Sequence, residues 1–144
     1  MSDNNKTMKI HTTNYYNTFI LIADDCKADV GIVPPLNADK QSIANIQFDI
    51  IINNPYTYTS DDVLFIVLTR KLDLIEDDYE DARRRFFSKG QACLRSSPLT
   101  KRYGWGIHCN EFGKVSIFGV ETDKYQELLN DSTVTKIKAL RSSR

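Results

Sequence analysis

Apolar residues recur along this chain at spacings that change from one stretch to the next, and each change marks an element. Thr18-Phe19-Ile20-Leu21-Ile22-Ala23 is a run of β-formers bounded by the turn residues Asp24 and Asp25, which predicts a strand. Val33-Pro34-Pro35 excludes regular structure just beyond it. From Asp39 to Asn53 the positions Ile43, Ile46 and Ile50 fall at helical spacing, with Phe48, Ile51 and Ile52 on the adjoining stripe, and Asn53-Asn54-Pro55 stops the helix. Thr59-Ser60-Asp61-Asp62 supplies an N-cap oxygen and first-turn carboxylates, which predicts a second helix from Asp61 to Lys71. Taken alone, Val63 to Leu68 reads equally well as a buried strand, because so short an apolar run has no distinguishing period.

Tyr79, Ala82, Arg83, Phe86 and Phe87 lie on one helical face, with acids before them and arginines behind, the order that suits a helix dipole and i,i+4 pairs such as Glu80 with Arg84 and Asp81 with Arg85. Gly90 ends that segment. Large and small residues alternate over Tyr103-Gly104-Trp105-Gly106-Ile107-His108-Cys109, Asn110 to Gly113 can turn, and Lys114 to Val120 can return as the partner strand. Thr122 or Asp123 caps a short helix to about Leu129, and Val134 to Leu140 reads as a last strand. The pattern predicts an α+β fold: a single domain with an antiparallel sheet that includes the hairpin at about 103–120, and three or four helices packed on one side.

Length and composition narrow the class. The chain has 144 residues, 41% hydrophobic and 26% charged, the profile of one domain, here read as a flexible N-terminal extension over 1–12 and a globular unit over 13–141. Folding at this size buries roughly two thirds of the unfolded surface, so stability calls for no cofactor, metal or disulfide framework. The odd set Cys26, Cys93 and Cys109 has no C-x-x-C spacing, which disfavours disulfides and structural zinc. The polar start Met1-Ser2-Asp3-Asn4-Asn5-Lys6 lacks a secretory core, and the longest apolar run, Val63 to Leu68, falls far short of the roughly 20 residues that cross a bilayer. The expectation is a cytoplasmic protein without membrane contact.

The charge balance is neutral only in total. Residues 1–82 carry 14 acids and 6 bases, and residues 83–144 carry 5 acids and 13 bases, a net −8 against +8. From Arg83 to Arg102 there is no acid, while Arg83, Arg84, Arg85, Lys89, Arg95, Lys101 and Arg102 supply positive charge. Such a segment suits an anionic partner, or else it is neutralised by the acidic half within the fold.

Four blocks carry a resemblance: Thr13-Asn14-Tyr15-Tyr16-Asn17-Thr18-Phe19-Ile20; Asn54-Pro55-Tyr56-Thr57-Tyr58-Thr59-Ser60-Asp61-Asp62-Val63-Leu64-Phe65; Phe86 to Leu99; and Lys101 to His108. Together they resemble a family of small bacterial and fungal proteins known as a domain of unknown function, over about His11 to Arg141. The resemblance implies no activity, substrate or cofactor.

Side chains with chemistry concentrate between Ser88 and His108. Lys89, Gln91, Arg95, Lys101 and Arg102 are the candidate ligand-binding residues, and Tyr103 and Trp105 offer a stacking surface, which together suit a phosphate-bearing small molecule or nucleic acid. Glycines 104 and 106 bracket a strand position and allow close approach, by a ring of the protein itself or by a ligand. Cys93 and His108 are the catalytic candidates, as a thiolate needs a nearby imidazole or cation. Asp61 and Asp62 are explained by helix-start chemistry, and no metal-ligand spacing is present. Three functions remain open: an anion- or nucleic-acid-binding module, an enzyme using Cys93 or His108, and an interaction subunit whose charge-segregated halves pair between chains.

Overall fold

A computed structural model describes residues 9–142. Four strands, β1 (Thr18–Leu21), β2 (Trp105–Cys109), β3 (Val115–Gly119) and β4 (Thr135–Lys138), form one sheet in the order β3-β2-β1-β4. Five α-helices accompany it: α1 (Ile43–Asn53), α2 (Ser60–Leu72), α3 (Tyr79–Phe86), α4 (Pro98–Lys101) and α5 (Asp123–Asn130). The fold is α+β in a single domain.

The ambiguous stretch 61–71 is helical because both of its ends are specified. Thr59 Oγ1 accepts the Asp62 N–H at 3.1 Å and Asp62 Oδ2 accepts the Thr59 N–H at 3.0 Å, a reciprocal cap, while Asp73 closes the other end with φ 52°. Ser42 and Asn45 build the same device at the start of α1.

The sheet is mixed rather than wholly antiparallel. β2 pairs antiparallel with β1 and β3, but β4 lies parallel to β1. Between β3 and β4 the chain makes a crossover through α5, which returns it in the same direction, something no hairpin turn can do. That crossover also puts α5 on the opposite face from α1 and α4, so the helices cover two sides of the sheet rather than one. Ile20, Ile107, Cys109, Val115 and Ile117 meet Ile46, Ile50, Val63 and Leu99 on the first face; Phe19 meets Tyr125 and Leu128 on the second.

Period-2 alternation assigns every β2 side chain to one of these layers. Gly106 faces α5, where the Phe19 and Tyr125 rings close over it. Gly104 has φ +79°, and a Cβ there would stand 2.5 Å from the Val30 carbonyl oxygen, so only glycine fits. Both glycines serve internal packing. At its Val115 end the outer edge of β3 is paired with the Tyr56–Tyr58 segment through Tyr56 N–H to Val115 O and Val115 N–H to Tyr58 O, both 2.9 Å, which covers that end of the edge.

Of the segment 1–12 read as an extension, residues 1–8 lie outside the described residues. The part that follows is held: the His11 N–H donates to the Phe87 carbonyl at 2.8 Å and Thr12 Oγ1 donates to Asp61 Oδ2 at 2.7 Å.

Candidate functional site

Charge between the two halves of the sequence is partly cancelled inside the fold. Arg83 pairs with Asp62 at 2.9 Å and lies between the Phe65 and Phe87 rings, 5.5 Å from each centroid. Arg84 and Arg85 both reach Asp81, and Lys138 reaches Asp24 at 2.8 Å. The front of the basic segment is therefore spent on α2 and α3. Lys89, Arg95, Lys101 and Arg102 make no ion pair among the described residues.

These four cations do not share one place. Lys89 and Gln91 border a hollow with Leu68, Leu72 and Leu74, and Gln91 Nε2 donates to the Phe86 carbonyl at 2.8 Å. Arg95 spans to β4, where its Nε donates to the Lys138 carbonyl at 2.8 Å. Lys101 and Arg102, at the end of α4, stand instead in a cleft of about 380 Å³ with Lys27, Asp25 and Ser142. The Ser142 N–H donates to both Asp25 oxygens, at 2.9 and 3.2 Å, so the one carboxylate lining the cleft is engaged.

α4 places this pair by its sequence. Ser97 is the N-cap, its Oγ accepting the Leu99 N–H at 3.1 Å, and Pro98 opens the helix with the φ it requires. Leu99 and Thr100 are fully buried, which fixes the turn and leaves Lys101 and Arg102 at the rim.

Tyr103 and Trp105 hold the adjacent loop. The Ile32 N–H donates to the Tyr103 carbonyl and Trp105 Nε1 donates to the Ile32 carbonyl, each at 2.8 Å, while the Trp105 ring packs against Phe48 with centroids 5.3 Å apart. The indole is half-buried and its one donor is used.

Cys93 and His108 have different neighbours. His108 lies on the α5 face of β2, with Nδ1 2.8 Å from the Tyr56 hydroxyl. Cys93 follows a different course, its Sγ 3.4 Å from the Tyr15 hydroxyl and electrostatically close to Cys109 on the other face of β2. The two are not brought together as a nucleophile and base. Cys109 itself is buried and its thiol is pushed up to about 12 by that burial, so it stays protonated. Among the described residues no three His, Cys, Asp or Glu side chains gather as a metal site, and no helix is long and apolar enough to cross a membrane.

Burial, with Lys124 adding to it and Asp131 opposing it, holds His108 below its ordinary pKa of 6.5. Nδ1 can then accept from the Tyr56 hydroxyl, whose own pKa is raised first by burial. Unfolded chains bind this proton more readily than folded ones, so stability from His108 is full above 6.5 and is lost as the pH falls toward the folded value. We expect the melting temperature of the wild type to fall further between about pH 7.5 and about pH 5.5 than that of His108→Gln, which keeps an acceptor for Tyr56 and cannot titrate. Parallel curves for the two proteins would remove His108 from the account.

Lys27 and Gln47 were not singled out by sequence. Lys27 lies in irregular chain just after the Asp24–Asp25 turn, far in sequence from the basic segment, and carries no signal of its own. Gln47 does: it is a polar residue within the apolar stripe of Ile43, Ile46 and Ile50 on α1.

A family model described as a family of unknown function (DUF6157) matches residues 10–144, and the chain belongs to that family. No curated protein and no solved structure matches it significantly.

Proposed function

We propose that this family member is a binding protein for phosphate-bearing anions, with the cleft of Lys27, Lys101 and Arg102 as its site. The observation that carries this reading is the convergence of those cations, none of them in an ion pair among the described residues, around a cleft whose single lining carboxylate is held by a backbone N–H. Charge-assisted hydrogen bonds from lysine and arginine to a phosphate oxygen are roughly twice as strong as neutral ones. The volume of about 380 Å³ suits a small phosphate ester or the end of a longer polyanion. The three cysteines, all free thiols, are in keeping with a reducing cytoplasm.

Titration with inorganic pyrophosphate and with a short single-stranded oligonucleotide, by calorimetry at low and moderate salt, tests the reading. Saturable binding is expected, weakened at least about tenfold in Lys101→Glu/Arg102→Glu, the worth of one charge-assisted hydrogen bond, and unchanged in Arg84→Glu. Pyrophosphate binding that survives moderate salt assigns a small ligand, whereas oligonucleotide binding alone, falling steeply with salt, assigns a nucleic acid. Absence of binding by both probes, or equal loss in the Arg84 variant, rejects the site.

A further inference from the structure

One face of the α2 and α3 pair is left open and apolar. Leu72 and Ile75 are 60% and 61% exposed, on either side of the turn that Asp73 makes with φ 52°. Beside them the half-buried Leu68, Leu74, Ala82 and Phe86 line a shallow hollow of about 370 Å³, with Arg85 and Lys89 at its rim. Single exposed leucines are ordinary on a monomer, but apolar side chains gathered on one face inside a polar rim mark a contact surface.

The charges around this face say what covers it. Ala82, Arg85 and Lys89 border the hollow, and Asp78 lies one turn before Ala82 on the same side of α3, so the face runs from acid through a small residue to base. Asp73, Glu76, Asp77 and Asp78 at the acidic end, and Lys89 at the basic end, make no ion pair among the described residues. Arg85 has only its exposed pair with Asp81. A surface of this kind is complementary to itself when turned end for end about a two-fold axis. Acid then meets base at both ends, the small Ala82 side chains meet at the centre and let the helices approach, and the two α3 dipoles run opposed. A foreign partner of one charge sign would match one end and be repelled by the other.

We propose that this face docks a second copy of the chain, α3 antiparallel to α3 across a two-fold axis near Ala82. Leu72 and Ile75 of both copies close over the apolar centre, and Asp78 of each copy faces Lys89 of the other. The surface shares no residue with the cationic cleft and stands or falls apart from it. A contact made by parts of two short helices is smaller than the roughly 800 Å² per partner of a tight complex, which sets micromolar rather than nanomolar association.

Sedimentation of the full chain over a concentration series from about 1 μM to about 1 mM tests this, and an equilibrium between monomer and dimer centred at about 10–100 μM is expected. Leu72→Gln with Ile75→Gln, at positions exposed in the monomer, should abolish the dimer and leave the melting temperature of the dilute protein unchanged. Asp78→Lys and Lys89→Glu should each weaken the dimer about tenfold, because either change opposes like charges at both ends. Mixed in equal amounts, these two single variants should associate as tightly as the wild type, since one then carries two cations and the other two anions at the facing positions. A wild type that stays monomeric throughout, and so leaves the face to another partner, overturns the proposal. So does a dimer indifferent to the apolar changes, or one in which mixing the charge variants restores nothing.

Discussion

Gly106→Ala is expected to destabilise the protein by about 3 kcal/mol, read from the shift in its denaturation midpoint. A Cβ at this position would stand 2.6 Å from Phe19 Cζ and 2.7 Å from Tyr125 Cε2, whereas carbon atoms pack at about 3.5–4.0 Å. Neither ring can yield. Phe19 is fully buried, and the Tyr125 hydroxyl is pinned by the Ile22 N–H at 3.1 Å. Their edge-to-face contact, centroids 4.9 Å apart, is the centre of the layer that seats α5 on the sheet. Moving either ring therefore strains the whole crossover from β3 to β4. A smaller side chain at 19 should recover part of the loss, so Gly106→Ala with Phe19→Leu is expected to cost less than the two single changes added together. Strict additivity would show that the clash lies elsewhere.

How much of this could be read in advance depended on whether the deciding information was local. The hairpin was legible because Asn110 to Gly113 is a turn by composition and Trp105 to Cys109 alternates. The 61–71 helix needed its caps, since Val63 to Leu68 has no distinguishing period; the reciprocal Thr59 and Asp62 bonds settle it. The parallel pairing of β4 was hidden, because direction is fixed by where α5 crosses and no residue in Thr135–Lys138 encodes it. The same holds for the sites. Lys101 and Arg102 were identifiable as ligand-binding candidates, but Lys27 reaches them only through the fold. The pair of Asp81 with Arg85 was legible from its i,i+4 spacing and forms, whereas Arg84 takes Asp81 in place of the expected Glu80, and the partner of Arg83, Asp62, stands 21 residues away in the chain. Tyr103 and Trp105 were read as a stacking surface; the fold adds a bracing role that no local pattern encodes, since the carbonyl of one and the indole N–H of the other both hold Ile32.

Asp61→Ala is expected to cost about 3 kcal/mol and to release the N-terminal arm, the second large effect. The carboxylate is 9% exposed and accepts from the Thr13 N–H, the Thr13 hydroxyl and the Thr12 hydroxyl, each at 2.7 Å. Since Thr13 has one hydroxyl proton and gives it to Asp61, the Ser60 hydroxyl must donate to Thr13, which extends the network by another 2.7 Å bond. In return the Asp61 N–H, at the start of α2, donates to Asn14 Oδ1 at 2.9 Å. Alanine leaves the buried Thr13 N–H without an acceptor and removes a negative charge from the positive end of α2, and a hydrogen bond to a charged partner is worth about 1.5–3 kcal/mol. Asp61→Asn keeps one acceptor oxygen and should lose about half as much. Hydrogen exchange separates the local effect from the global one: the Thr13 amide should lose its protection in the alanine variant while amides of β1 and β2 keep theirs relative to their reduced global stability. An arm that merely rests on the surface would leave Thr13 exchange unchanged and shift the midpoint by less than about 0.5 kcal/mol.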